Sequence, residues 1–307
     1  MLSVIIPYRN EEMLAFTVQR LHDTICVPYE IITVDDGSDV PVALPAGVKN
    51  VRFQKNLGAQ LARHVGIEAA RYDTVLVIDA HMNFWENDWS RRLVNYSVEN
   101  PTHVGCVITL GLAPDRMEME KARGRHFGAH IVAKEIRDEP NLHYVSARRI
   151  LVDKWNKNRT PGEVGCILGG AYFMSRKWYM ETLLAPWAEL RGWGFLEANI
   201  SIPNYLLGGK NVCFDIEIGH MFRKSTPYST HIYKLLFNEL YLAHVVIPDE
   251  KERNELIAQL ELPDDQVTQK AWELLHQSIH SWYRNYLVEY GVRTWEDYKV
   301  EWMKPGL

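Results

Sequence analysis

Three short apolar runs rich in β-branched residues, Leu2 to Pro7, Glu30 to Val34 and Thr74 to Asp79, punctuate the first part of the chain. Runs of that length without polar alternation predict strands buried on both faces, as in a parallel sheet. Between them lie amphipathic stretches. Glu11 to His22 carries Leu14, Val18 and Leu21 on one face, and Gly58 to Ala70 carries Leu61, Val65 and Ala69. This β-α-β-α-β alternation predicts an α/β, right-handed, doubly wound sheet whose ligand crevice lies beyond the C-terminal ends of its strands. At those ends stand Tyr8-Arg9-Asn10, Asp35-Asp36-Gly37-Ser38 and Asp79-Ala80-His81, so the polar chemistry falls where such a fold binds ligands.

The pattern continues with a helix over Asp88 to Glu99 and a strand over Val104 to Leu110, then changes near Ala113. The charged, Met-rich stretch from Pro114 to Arg125 reads as an inserted loop or helix. Strands are expected at His143 to Val152, Ile167 to Met174 and Val212 to Ile216, and a helix at Phe195 to Leu207. After Tyr228 the chain turns helical, at Ile232 to Ala243, Lys251 to Leu260 and Asp264 to Glu289, with Pro248 and Pro263 as punctuation. With 47% hydrophobic residues in 307 there is ample material for a buried core. A net charge of −5 without long single-sign runs gives no general attraction to nucleic acid or anionic lipid. No segment reaches the roughly 20 apolar residues of a membrane helix, and the start of the chain lacks a leader pattern. Cys26, Cys106, Cys166 and Cys213 are scattered singly among apolar neighbours, as buried free thiols are. The expected location is therefore a cytoplasm, without membrane contact.

In an extended segment alternate side chains share a face, so Asp79 and His81 project together from a strand end. A carboxylate with an imidazole suits a divalent ion, and phosphate and water oxygens filling the other positions favour Mn²⁺ over Zn²⁺. Taken alone, Asp-x-His also fits a pair of residues capping the next turn. Far downstream, Gly219-His220-Met221-Phe222-Arg223-Lys224 adds another imidazole and two cations. A metal beside an arginine is what a diphosphate leaving group needs, since both neutralise charge on its oxygens.

These segments carry a family resemblance. Ser3 to Glu12, Val34-Asp35-Asp36-Gly37-Ser38, and Asn56-Leu57-Gly58 through Ala62-Arg63 to Gly66 resemble the opening of the large inverting-type glycosyltransferase family with the A-type fold. Ile78-Asp79-Ala80-His81, Gly169-Gly170-Ala171-Tyr172-Phe173, Gly192-Trp193-Gly194 with Glu197 and Asn199, and Gly219 to Tyr228 resemble the catalytic domain of polypeptide N-acetylgalactosaminyltransferases, in that order. The resemblance implies a Rossmann-like, mainly parallel sheet flanked by helices. It further implies a catalytic unit over residues 1–229, with a nucleotide-binding half at 1–112 and an acceptor and metal-closing half at 113–229. An α-helical extension is expected over 230–307.

The resemblance also implies roles. Asp79, His81 and His220 would bind Mn²⁺, while Arg223 and Tyr228 would close over the diphosphate of a UDP-sugar. Asp35 would accept from the uracil or ribose, and Pro7 and Arg9 would flank the nucleoside, although the family usually has threonine and histidine there. Arg63 matches an arginine near the donor phosphates, with a salt bridge to the Asp35 region as the alternative. Gly169 and Gly170 would let the backbone approach the sugar. Gly192-Trp193-Gly194 reads as a mobile element whose aromatic covers the sugar, or else as a helix-entry turn. Glu197 would position the reacting sugar or acceptor, although the family keeps its acidic residue next to the asparagine and here Ala198 intervenes. Transfer would retain anomeric configuration.

Two acceptors stand level: a protein Ser/Thr hydroxyl, and a hydroxymethylated base in DNA. The second is suggested by Lys121, Arg123, Arg125, Arg148, Arg149, Lys154, Lys157 and Arg159 around Trp155. The alternatives are inverting transfer to a small molecule or polysaccharide, which would require a carboxylate base, and a metal-dependent phosphoester hydrolase built on the same three ligands.

Overall fold

The computed structural model describes residues 1–112, 124–136, 148–156, 160–222 and 231–303. The first half runs β1 (Leu2–Tyr8), α1 (Leu14–Thr24), β2 (Tyr29–Asp35), β3 (Val48–Arg52), α2 (Ala59–Glu68), β4 (Thr74–Ile78), β5 (Met82–Asn83), α3 (Trp89–Glu99) and β6 (His103–Leu112). Then come β7 (Arg125–His126), β8 (Ala129–Ile136), β9 (Arg148–Trp155), β10 (Gly162–Glu163), β11 (Ala171–Ser175), a π-helical turn at Trp178–Thr182, α4 (Leu196–Leu206) and β12 (Lys210–Met221). Helices α5 (Ile232–Val246), α6 (Glu250–Ala258), α7 (Gln266–Gln277), α8 (His280–Tyr290) and α9 (Trp295–Trp302) follow.

The main sheet has the order β10-β12-β6-β11-β4-β1-β2-β3. Strands β4, β1, β2 and β3 run parallel, as do β6 and β12, while β11 is antiparallel to both its neighbours. Every residue of β1 and β4 is buried, because α1 and α3 cover one face of the sheet and α2 the other. That double burial is what made these strands continuous apolar runs. Helix α1 turns Leu14, Thr17, Val18 and Leu21 inward, one side of a 3.6-residue period.

Several elements differ from the sequence expectation. Strand β3 was missed because its residues are half-buried or exposed at the sheet edge and read as polar. Strand β12 runs from Lys210 to Met221, longer than expected at both ends, through a bulge between Phe214 and Glu217. The expected helix over Asp264 to Glu289 is two helices, since the Ser278 hydroxyl donates to the Leu275 carbonyl at 2.7 Å and ends α7. Of the expected strand at His143 to Val152, residues 143–147 lie outside the described residues, and β9 pairs with β8 as a separate ribbon. Of the stretch Pro114 to Arg125, residues 114–123 lie outside the described residues, and Arg125 opens β7. Cys106, Cys166 and Cys213 are buried free thiols, but Cys26 is exposed, held 3.4 Å from the Ser90 hydroxyl.

The C-terminal helices pack into the body of the chain. One hydrophobic cluster joins Ile5 and Val34 of the sheet to Tyr241 of α5 and Tyr298 of α9. The buried Tyr283 and Tyr298 hydroxyls donate to the carbonyls of Leu183 and Gly165 at 2.7 and 2.9 Å. Among the described residues no helix is long and apolar enough to cross a membrane.

Candidate active site

The C-terminal ends of β1, β2 and β4 border a cleft whose opposite wall comes from the end of β12, the loop before α4 and the start of α5. At one end of it Asp79, His81 and His220 each offer a ligand atom within 4.8 Å of the others. Three local devices bring them together. The two-residue strand β5 pairs with β12, setting Met82 opposite His220, and the Met221 N–H donates to the His81 carbonyl at 3.2 Å. The buried Thr17 hydroxyl of α1 lies 3.0 Å from the carbonyls of Ala80 and Met82 and accepts from the Met82 N–H at 3.0 Å, pinning the segment that carries His81. The Asp79 N–H donates to the Gly170 carbonyl at 2.8 Å.

Asp79 is held by opposite partners on its two oxygens. Arg63 Nη2 lies 2.6 Å from Oδ1, and His220 Nε2 lies 3.3 Å from Oδ2. Burial alone would raise this carboxyl. The His220 hydrogen bond and the charges of Arg63, His81 and His220 outweigh it and hold Asp79 well below the usual carboxylate range. Arg63 thus forms a salt bridge with Asp79. Gly170, at φ +76°, backs the pair. A Cβ there would stand 2.9 Å from Asp79 Oδ2 and 3.1 Å from His220 Cδ2, so only glycine leaves the ligands room. Gly169 sits beside it against Thr109. Both glycines lie behind the ligands and are absent from the cleft lining among the described residues. One carboxylate oxygen and two imidazole nitrogens at this spacing fit a divalent transition ion.

The cleft is also lined by Pro7, Tyr8, Arg9, Asp36, Asn56, Gly58, His231 and Lys234. Asp36, and not Asp35, reaches the cleft. Asp35 is fully buried, accepting from the Ser38 N–H at 2.7 Å and standing 3.5 Å from Arg52 Nε. Burial and the neighbouring Asp35 charge push the Tyr8 hydroxyl up to about 12. Asp36 accepts from the N–H groups of Leu57 at 2.6 Å and Gly58 at 3.0 Å, and from Asn56 Nδ2 at 2.7 Å. Burial raises its carboxyl despite those donors and the charges of Arg9 and Lys234.

The Gly192-Trp193-Gly194 loop is tied to α2 and α5 by backbone and side-chain hydrogen bonds. Gly58 and Gly192 pair backbone to backbone, and a Cβ on Gly58 would stand 2.6 Å from Gly192 N. The buried Asn238 of α5 accepts from the Arg191 N–H at 2.8 Å and donates to the carbonyls of Arg191 and Gly194 at 2.8 and 3.1 Å, while Gln60 donates to Gly194 at 3.1 Å. Trp193 itself is 38% exposed and lines the cleft. Glu197 stands in the first turn of α4 and accepts from the Tyr172 hydroxyl at 2.6 Å, behind the ligands and outside the lining. Arg223, Lys224 and Tyr228 lie outside the described residues, as do Lys121, Arg123, Lys157 and Arg159.

Sequence reasoning passed over Glu11, Asp36, Asn238 and Lys234. Glu11 lies 3.1 Å from His81 Nδ1 through its Oε2. It stood in the Asn10-Glu11-Glu12 run at the end of β1, which was a usable signal. Asn238 and Lys234 had none, being polar residues in the helical stretch after the last motif.

The Glycosyl transferase family 2 profile matches residues 3–181. Polypeptide N-acetylgalactosaminyltransferase 3 of Drosophila melanogaster is 27% identical over 214 residues, covering 65% of this chain and 31% of its own length. Polypeptide N-acetylgalactosaminyltransferase 11 of Xenopus tropicalis is 25% identical over 277 residues, covering 82% of this chain and 44% of its own. The chain thus spans less than half the length of these curated relatives. The crystal structure of GalNAc-T7 with UDP, GalNAc and Mn²⁺ superposes with a TM-score of 0.76 at 18% identity, covering 98% of this chain and 57% of that one. At that identity the likeness speaks for the fold, the A-type arrangement of a mainly parallel sheet between helices.

Proposed function

We propose that this chain, which belongs to glycosyl transferase family 2, moves a sugar from a UDP-sugar to an acceptor hydroxyl with Mn²⁺ held by Asp79, His81 and His220. The observation that carries this reading is the convergence of those three side chains at the strand ends, within 4.8 Å of one another. Charge supports it. Among the described lining residues the cations Arg9, Arg63 and Lys234 balance the carboxylates Glu11, Asp36 and Asp79. A divalent ion then leaves two positive charges for the two negative charges of a diphosphate. Bound there, the ion supplies Lewis-acid neutralisation of the leaving group.

The chain's own residues do the rest. Arg63 occupies one oxygen of Asp79 and leaves the other for ligation. Pro7 and Arg9 flank the nucleoside, with Asp36 rather than Asp35 offered toward it. Trp193 covers the sugar from its anchored loop, Glu197 acts through Tyr172 on the wall behind the ligands, and Arg223 and Tyr228 close over the diphosphate. Retention of configuration belongs to the same proposal, as the resemblance to the peptide-modifying family implies. An inverting enzyme needs a carboxylate base beside the acceptor. In the retaining route the acceptor proton passes to the departing phosphate oxygen.

The acceptor we propose is a protein Ser or Thr hydroxyl, since the curated relatives are named for transfer to polypeptides. The DNA reading finds no counterpart among them, and half of the basic residues that suggested it lie outside the described residues. A reducing, cytoplasmic setting belongs to the same proposal, with the four cysteines free. The test is release of UDP from a panel of UDP-sugars with Mn²⁺, read by mass spectrometry with Ser/Thr peptides and hydroxymethyl-base DNA as acceptors. Asp79→Ala, His81→Ala and His220→Ala should each abolish Mn²⁺-dependent UDP release. Wild-type rates in the His81 variant would end the metal assignment, and a mass shift on DNA alone would end the peptide reading.

A further inference from the structure

An imidazole that binds a metal uses one ring nitrogen, and the hydrogen bond made by the other decides which nitrogen keeps its lone pair. His81 Nδ1 lies 3.1 Å from Glu11 Oε2, so it donates its proton there and leaves Nε2 with the lone pair. Glu11 is well placed to set this. It is 6% exposed, and its other oxygen accepts from the Met13 N–H at 3.1 Å, which fixes the carboxylate at the start of α1. The chain reaches that position through Asn10, whose φ of +49° turns β1 sharply, and whose side chain is tied to the end of β2 by the Asp39 N–H at 2.9 Å. The same helix holds the backbone on both sides of His81 through Thr17. Backbone and ring of His81 are thus both oriented by the segment that follows β1, some seventy residues earlier in the chain.

We infer that Glu11 is a positioning residue for the cleft ion: it accepts from His81 Nδ1–H, fixing the tautomer in which Nε2 keeps its lone pair for the ion, and its negative charge makes that nitrogen a stronger donor. This rests on the metal reading of those three residues. Its experiment therefore measures metal and tautomer separately from turnover.

Mn²⁺ binding to the intact protein is followed by the electron paramagnetic resonance of the free ion, in wild type, Glu11→Met, Glu11→Gln, His81→Ala and the double variant. Glu11→Met should weaken Mn²⁺ binding by about 10–100-fold, the usual cost of losing such a partner. Glu11→Gln should fall between, because its amide oxygen still accepts from Nδ1–H while the charge is gone; it also serves if the Met variant fails to fold. In the His81→Ala background, Glu11→Met should cost nothing further, because its effect passes through the imidazole. In parallel, ¹⁵N shifts of His81 in the metal-free protein should report the Nδ1–H tautomer in wild type and its loss in Glu11→Met. A wild-type protein that takes up no Mn²⁺ overturns the metal reading and this inference with it. Wild-type binding with unchanged affinity in both Glu11 variants, additive losses in the double variant, or an Nε2–H tautomer in the wild type each overturns this inference and leaves the metal reading standing.

Discussion

Replacing Gly170 by alanine puts one methyl group into the tightest part of the site, and the structure separates its two consequences. The first is conformational. At φ +76° an L-residue is strained by about 1–2 kcal/mol. At about 2.1 cal/mol/K of unfolding entropy per residue, a chain of 307 residues loses roughly 1.5 °C per kcal/mol, so Tm falls by roughly 1.5–3 °C. The second is steric. The new Cβ would stand 2.9 Å from Asp79 Oδ2 and 3.2 Å from His220 Nε2. Asp79 cannot retreat, because Arg63 grips its other oxygen at 2.6 Å. The ligand pair must open, and Mn²⁺ affinity should fall by about 10-fold or more, the scale on which a lost ligand support registers. Gly47→Ala is the control: its φ is +84° with nothing within 4 Å of the added Cβ, so it carries the backbone strain alone. Thermal unfolding followed by circular dichroism, with Mn²⁺ titration below the transition, reads both effects. Equal Tm losses in the two variants with undiminished Mn²⁺ affinity in Gly170→Ala would refute the steric argument, and no Tm loss in either would refute the conformational one.

Thr17→Val keeps the shape of α1 but removes the hydroxyl under Ala80 and Met82, stranding the buried Met82 N–H. A loss of about 1–3 kcal/mol is expected in chemical denaturation, with weaker Mn²⁺ binding because the His81 segment is released. Asn238→Ala removes the polar anchor of the Trp193 loop. Donor KM should rise at least several-fold while Mn²⁺ binding stays at wild-type strength, and steady-state kinetics beside the metal titration would expose the opposite pattern. Stability should also fall on acidification from pH 7.5 to 5. Burial, with the charges of Arg253, His280 and Arg284, depresses the His244 imidazole to about 4. Between that value and the ordinary histidine range the unfolded chain binds the extra proton and the folded one does not, so stability is lost as pH falls through this window. His244→Gln should flatten the dependence measured by denaturant melts; an unchanged slope would remove His244 from the account.

The legible part of the fold was the part buried on both faces. Strands β1 and β4, buried throughout, and β2, buried from Ile31 onward, announced themselves because those residues had no water to satisfy, and their C-terminal ends announced the cleft. Asp35 and Asp36 show where reading stopped. Neighbouring residues at a strand end point to opposite sides, so a single-residue question of phase decides which carboxylate borders the cleft, and alternation cannot fix phase once the strand gives way to a turn. Strand β8 and the edge strand β3 were obscure because sheet edges tolerate polar residues. Contacts such as Glu11 to His81 and Asn238 to the Trp193 loop join residues 70 and 44–47 positions apart. No local periodicity encodes them, since they follow from the packing of α1 and α5 against the sheet. The Gly192-Trp193-Gly194 loop looked mobile for a related reason: its glycines serve close approach to Gly58 and to α5 as much as freedom of movement.

The pairing of β5 with β12 has a thermodynamic consequence. It brings together Asp79 and His220, which are 141 residues apart in sequence. An ion held by both would clasp segments nearly half the polypeptide apart, and it would stabilise the fold only so far as the folded chain binds it and the unfolded chain does not. A divalent ion bound only by the folded chain would thus tie occupancy of the cleft to the stability of the sheet by mass action.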